Sequence, residues 1–128
     1  MKTKKLPKIN FLVKKLDHEF SIFIRNRDHH VCFTCGKQLE TNQSQCGHYQ
    51  SRSYKNTRWD EDNCSCQCVK CNVFMKGNYP AYSLRLVKKY GIGILEDLEL
   101  RAKQPFKLER SWLNDQIEYY KTKNKELK

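Results

Sequence analysis

The sequence predicts a small α+β protein in which a cysteine-stapled hairpin lies between helical segments. Three observations carry that prediction. Two identical Cys-x-x-Cys pairs, Cys32/Cys35 and Cys68/Cys71, bracket the middle of the chain. Before them, apolar residues recur at Ile9, Leu12, Val13, Leu16, Phe20, Phe23 and Ile24, the three- and four-residue spacing of an amphipathic helix. After them come helical patterns punctuated by Pro80, Gly91 and Pro105.

Taken in order, Pro7 suits the first turn of a helix running from about Lys8 to Arg27. Gly36 follows Cys35 in a turn. Gln45–Gln50 and Thr57–Asp60 are expected as the two strands of the hairpin, with the polar Gln50–Asn56 segment as its loop. A helix is expected from near Val69 to at least Met75, and Pro80 interrupts or restarts it. Ala81–Tyr90 continues as helix with Leu84, Leu86 and Val87 apolar, until Gly91 stops it. Ile94–Ala102 is a short helix. Glu109 to about Lys123 is the last, with Trp112, Leu113, Ile117 and Tyr120 on one side. The expected organisation is a single domain: an N-terminal helical arm over 1–30, a metal-stapled core over 31–80 and C-terminal helices over 81–128.

Composition sets the function classes. The 128 residues are 38% hydrophobic and 30% charged, a thin apolar supply for a core. A metal staple therefore matters: structural zinc contributes roughly 10–16 kcal/mol in small peptides, comparable to the whole stability of a domain. The net charge of +11, from 25 Lys+Arg against 14 Asp+Glu, favours a polyanionic partner, foremost nucleic acid. Lys2, Lys4, Lys5, Lys8, Lys14 and Lys15 at one end, and Lys121, Lys123, Lys125 and Lys128 at the other, are phosphate-binding arms or solvated tails. The chain has no transmembrane run, and its basic N-terminus is not followed by the apolar stretch of a signal peptide. A cytoplasmic protein is expected, without membrane attachment. In that reducing compartment seven cysteines suggest metal rather than disulfides, and the odd number argues against complete pairing.

The two-residue spacer lets both sulfurs of each pair reach one tetrahedral ion at ~2.3 Å, so Cys32, Cys35, Cys68 and Cys71 are expected to hold one structural zinc. Cys46, Cys64 and Cys66 are left over. Cys64 and Cys66 could compete for the ion, but their one-residue spacer fits less well, and small buried or free thiols are the simpler reading.

Inside the cysteine frame lie His48, then Asn63, then Asn72 directly after Cys71. A histidine and two asparagines in this order can build a site for phosphodiester hydrolysis. The reaction needs a base for water and a divalent cation to balance charge on the phosphate. Neutral imidazole supplies the first near pH 7, and oxygen ligands suit Mg²⁺ or Mn²⁺ for the second. Any one of these residues alone has a structural explanation: Asn63 could cap a turn, and Asn72 could be a surface amide.

The order Cys-x-x-Cys, a histidine on a strand, Asn63, and Cys-x-x-Cys-Asn resembles the zinc-containing HNH (ββα-metal) endonucleases. A closer resemblance is to the NinG/Rap family of phage recombination proteins. It is carried by Gly47-His48-Tyr49, Arg58-Trp59-Asp60, Asn63, Gln67-Cys68-Val69-Lys70-Cys71-Asn72, Gly77-Asn78, Tyr82 and the stretch Leu84–Gly91, and covers roughly 28–95. It implies a zinc-stapled ββα-metal centre flanked by helices. The implied activity is a structure-selective DNA endonuclease on branched recombination intermediates such as Holliday junctions and D-loops, leaving 5′-phosphate and 3′-hydroxyl ends.

The residue before the base histidine in HNH sites is usually an acidic or histidine metal ligand; here it is Gly47. Two arrangements follow. His48 is the base while Asn72 and another oxygen, from Asp60 or Asp62, hold Mg²⁺; or His48 itself ligates the ion with Asn72. Asn63 would orient the hairpin through backbone hydrogen bonds. Arg52 and Arg58 would grip phosphate, with Lys76 and Asn78 as further phosphate-side candidates. Tyr49, Tyr54 and Trp59 would either stack on unpaired bases or serve as core. A two-fold homodimer would suit a symmetric junction. The alternative function is a zinc-dependent DNA-binding module without catalysis, which Gly47 motivates.

Overall fold

The structure, a computed structural model, describes residues 5–127; Lys2, Lys4 and Lys128 of the expected phosphate-binding ends lie outside them. The chain divides into two compact units, Met1–Phe23 with Lys107–Lys128, and Ile24–Phe106. The long elements are α1 (Ile9–Arg27), β1 (Ser44–His48), α2 (Lys55–Arg58), β2 (Cys64–Cys68), α3 (Tyr79–Tyr90), α4 (Ile94–Ala102) and α5 (Arg110–Glu126). Among the described residues this is a mixed α+β protein with one two-stranded sheet. None of the described helices is long and apolar enough to cross a membrane.

The first unit follows the apolar spacing. Leu12, Leu16 and Phe20 of α1 and Leu113, Ile117 and Tyr120 of α5 are buried. Burying side chains of this size contributes roughly 1.5–3 kcal/mol each. The Phe20 and Tyr120 rings meet edge-on at 5.1 Å. The Asn124 amide donates to the Glu19 carbonyl at 2.9 Å.

The second unit is built on the hairpin. β1 and β2 pair antiparallel, with Ser44 opposite Cys68, Cys46 opposite Cys66, Gly47 opposite Ser65 and His48 opposite Cys64. The second strand therefore lies at Cys64–Cys68 rather than at the expected Thr57–Asp60. The reason is local. Lys55–Arg58 closes a helical turn in which the Tyr54 carbonyl accepts from the N–H groups of Thr57 and Arg58. All five residues of β2 are buried, so the strand shows no polar–apolar alternation. Its outer edge is also satisfied. Asp28 accepts the Cys66 N–H at 2.8 Å, Phe33 N–H donates to the Cys66 carbonyl, and Arg27 donates to the carbonyls of Glu61 and Cys64. The Arg27–Asp28 ion pair at 2.8 Å thus replaces a third strand.

After β2 the chain makes a wide π-type turn, Lys70–Phe74, where a longer helix is expected. Lys76, Gly77 and Asn78 then take left-handed φ values of 52°, 97° and 50°. The middle position suits glycine, which has no Cβ to crowd such a backbone. The turn redirects the chain into α3, which carries Pro80 in its first turn. Tyr82 and Leu86 of α3 pack with Ile94 and Leu98 of α4, joined by half-buried Phe33, Tyr49, Val87 and Leu95.

Candidate functional site

The sulfurs of Cys32, Cys35, Cys68 and Cys71 converge to within 4.8 Å of one another. Cys35 Sγ and Cys68 Sγ are 3.8 Å apart. Two sulfurs each ~2.3 Å from a tetrahedral ion are about 3.8 Å apart, so this donor set fits a metal ion such as zinc. Two hydrogen bonds reach the sulfurs from the π-type turn region: Cys71 N–H donates to Cys68 Sγ at 3.4 Å, and the Asn78 amide to Cys71 Sγ at 3.5 Å. Burial pushes the Cys32 thiol up, but the Thr34 hydroxyl and nearby backbone N–H groups outweigh it and bring the group down to about 6. Burial pushes Cys68 up to about 12. Loading such a site releases thiol protons, so it is coupled to pH.

The second feature is a shallow cleft of about 280 Å³ lined by Cys46, His48, Ser51, Arg52, Asn72 and Tyr79. It brings together three of the sequence-expected residues, His48 from the end of β1, Arg52 from the following loop and Asn72 from the turn after β2. The His48 Nε2 atom lies 2.9 Å from the Arg58 carbonyl oxygen. A carbonyl only accepts, so Nε2 carries a proton and, in the neutral ring, Nδ1 the lone pair. The Asn72 amide donates to Gln45 Oε1 at 2.8 Å, a bond in which its own oxygen takes no part.

Asn63 is fully buried and shapes the loop that holds His48. Its oxygen accepts the Gln50 N–H at 2.7 Å, and its amide donates to the carbonyls of Gln50 and Thr57 at 3.1 and 3.0 Å. These bonds tie both ends of the 50–57 loop to the start of β2. The Tyr82 hydroxyl donates to the Gly47 carbonyl at 2.9 Å and fixes the same corner from α3.

Gly47 has a steric explanation. A Cβ there would lie 1.8 Å from Gln67 Oε1 and 2.5 Å from Gln67 Cδ. Gln67 is itself locked, donating to Thr34 Oγ1 at 3.2 Å and to the Gly77 carbonyl at 2.9 Å. A metal-ligating side chain therefore has no room at position 47.

The structure does not bring Asp60 and Asp62 to the cleft. Arg101 of α4 holds Asp60 at 3.1 Å and Asp62 at 2.9 Å, and also Asp97 at 2.6 Å. Among the described residues lining the cleft there is no carboxylate. Arg58 reaches back to the Arg52 carbonyl at 3.3 Å, with its guanidinium 5.4 Å from the Trp59 ring centre. Asn78 belongs to the sulfur cluster, and Lys76 is an exposed residue of the left-handed turn. Trp59 is buried, Tyr49 packs against Tyr79 and Tyr82, and Tyr54 is exposed.

Cys46 and Cys64, left over in the sequence, join His48: the ligand atoms of the three also lie within 4.8 Å of one another. The signal was available: Cys46 and His48 are two apart, and on a strand that places them on one face. Nothing local in the sequence identifies the pairing of His48 with Cys64.

A family model described as Bacteriophage Lambda NinG protein matches residues 1–128. The chain is 33% identical over 92 residues to Protein ninG of Salmonella phage P22, covering 70% of this chain and 45% of that protein. It is 30% identical over 92 residues to Protein ninG of Escherichia phage lambda, with the same coverage. The match thus spans less than half the length of these relatives. No solved structure matches the chain.

Proposed function

Because this chain belongs to the NinG family of phage proteins, we propose that it is a metal-dependent DNA endonuclease acting on branched recombination intermediates, Holliday junctions and D-loops among them. The observation that carries this reading is the cleft in which His48, Arg52 and Asn72 come together. The net charge of +11 supports a nucleic-acid substrate.

His48 is the general base. Its Nε2–H is held by the Arg58 carbonyl, so Nδ1 is the nitrogen that takes a proton from water. That proton transfer contributes roughly 10²–10⁴-fold. Arg52 is exposed at the rim and pairs with a phosphate oxygen. Asn63 positions His48 through the loop and touches neither water nor phosphate. The amide oxygen of Asn72 would be this chain's donor to a Mg²⁺ or Mn²⁺ ion, which would supply charge balance on the phosphate. No carboxylate lines the cleft, so this chain would supply few of such an ion's oxygen ligands. The four-cysteine zinc is structural: it joins the turn before β1 to the turn after β2, and so sets His48 and Asn72 relative to each other.

Cleavage of a labelled four-way junction and of a linear duplex of the same length, with Mg²⁺ or Mn²⁺, tests the proposal. Junction nicking in excess of duplex nicking is expected. Tight, salt-dependent junction binding with no nicking in either metal would instead favour a non-catalytic DNA-binding module.

A further inference from the structure

We propose that Cys46, His48 and Cys64 form a second metal site, separate from the four-cysteine set, which takes a thiophilic divalent ion such as zinc and silences His48 when filled. The geometry comes from strand register. Cys46 and His48 are two apart on β1 and share a face, and Cys64 is the direct partner of His48 on β2. Their ligand atoms lie within 4.8 Å of one another. Two sulfurs at ~2.3 Å and an imidazole nitrogen at ~2.0 Å from a tetrahedral centre stand about 3.5–3.8 Å apart, so small side-chain rotations close the site.

The chemistry agrees. Two sulfurs and one imidazole suit zinc or a neighbouring transition ion, not Mg²⁺ or Ca²⁺. Three protein ligands leave a fourth position for water. Cys46 and His48 line the open cleft, which supplies the entry path, while Cys64 is fully buried beside them. The Arg58 carbonyl holds the His48 Nε2–H, as outer partners do for metal-bound histidines, and presents Nδ1 as the ligand. The same carbonyl lies 3.6 Å from Cys64 Sγ. Binding exchanges two S–H bonds for two sulfur–metal bonds and releases both protons to solvent, with no change of oxidation state.

One lone pair on Nδ1 cannot serve both an ion and a proton. Filling the site therefore removes the base. This consequence rests on the reading of His48 given above; the metal site does not.

The test is a Zn²⁺ titration of the reduced full chain and of Cys46→Ser, with bound metal per chain measured at equilibrium with buffered free Zn²⁺. The wild type is expected to hold two ions and Cys46→Ser one. One ion in the wild type, or two in both proteins, overturns the site. A parallel Co²⁺ titration guards against a misfolded variant: Cys46→Ser must keep the spectrum of the four-sulfur site, and Cys64→Ser must reproduce the loss of the second ion. Junction nicking is then compared with and without free Zn²⁺ at ten times the dissociation constant of the second ion. A roughly tenfold loss is expected in the wild type, against a ratio near one in Cys46→Ser. Two bound ions with no change in nicking would overturn the silencing while leaving the site. A wild type that never nicks would overturn the endonuclease reading alone, since the stoichiometry still decides the site.

Discussion

The Nε2 atom of His48 and the carbonyl oxygen of Arg58 are 2.9 Å apart, and this contact fixes which ring nitrogen is basic. Arg58 can offer that carbonyl because the Lys55–Arg58 turn is held from below by Asn63, whose amide binds the Thr57 carbonyl. Asn63→Ala should therefore lower both stability and nicking. Losing three hydrogen bonds to buried backbone groups costs about 2–4 kcal/mol. Denaturant midpoints should report that loss. An unchanged midpoint would show that the loop is held by something else.

Gly47 and Gln67 compete for one volume. Gly47→Ala should destabilise by about 1–3 kcal/mol through overpacking. Gln67→Ala costs stability as well, since its amide leaves Thr34 and the Gly77 carbonyl. The double variant should be more stable than the sum of the two, because removing Gln67 makes room for the methyl group. A double-mutant cycle in urea measures this coupling, and simple additivity would contradict the steric account.

Asp60 and Asp62 are partners of Arg101, not cleft residues. Asp60→Asn and Asp62→Asn should leave the Mg²⁺ concentration for half-maximal nicking unchanged. Arg101→Met should cost at most about 1–2 kcal/mol, since the pairs are partly solvent-exposed. A large rise in the Mg²⁺ requirement of either Asp variant would return that carboxylate to the metal.

Stripping the four-cysteine site with a chelator should unfold the 24–106 unit cooperatively. Mg²⁺ should not restore it, while stoichiometric zinc should. Circular dichroism and one-dimensional amide NMR distinguish these states. Retention of the folded spectrum in the metal-free protein would mean that the ion contributes little to the frame.

The helices were legible because their apolar residues repeat at helical spacing. Ile94–Ala102 falls where the sequence puts it, and the ends of α1 lie within a residue of expectation. The four-cysteine cluster was legible because its spacing is set by metal geometry. β2 was not legible: Cys-Ser-Cys-Gln-Cys is buried on both faces and lacks alternation, so it reads as a run of stray thiols. Thr57–Asp60, expected as the second strand, is instead a turn that depends on Asn63 and Tyr54. Gly47 read as a missing ligand; only the position of Gln67 explains it. The Arg101 clamp on Asp60 and Asp62 joins groups about forty residues apart, which no local pattern encodes.

Single-turnover junction nicking by His48→Ala is to be measured beside the wild type, with only the four-cysteine site filled in both and at equal junction affinity. A loss of roughly 10²–10⁴-fold in the cleavage step is predicted, with binding unchanged. Cleavage by His48→Ala at the wild-type rate would contradict the assignment of His48 as the base and of this cleft as the catalytic site.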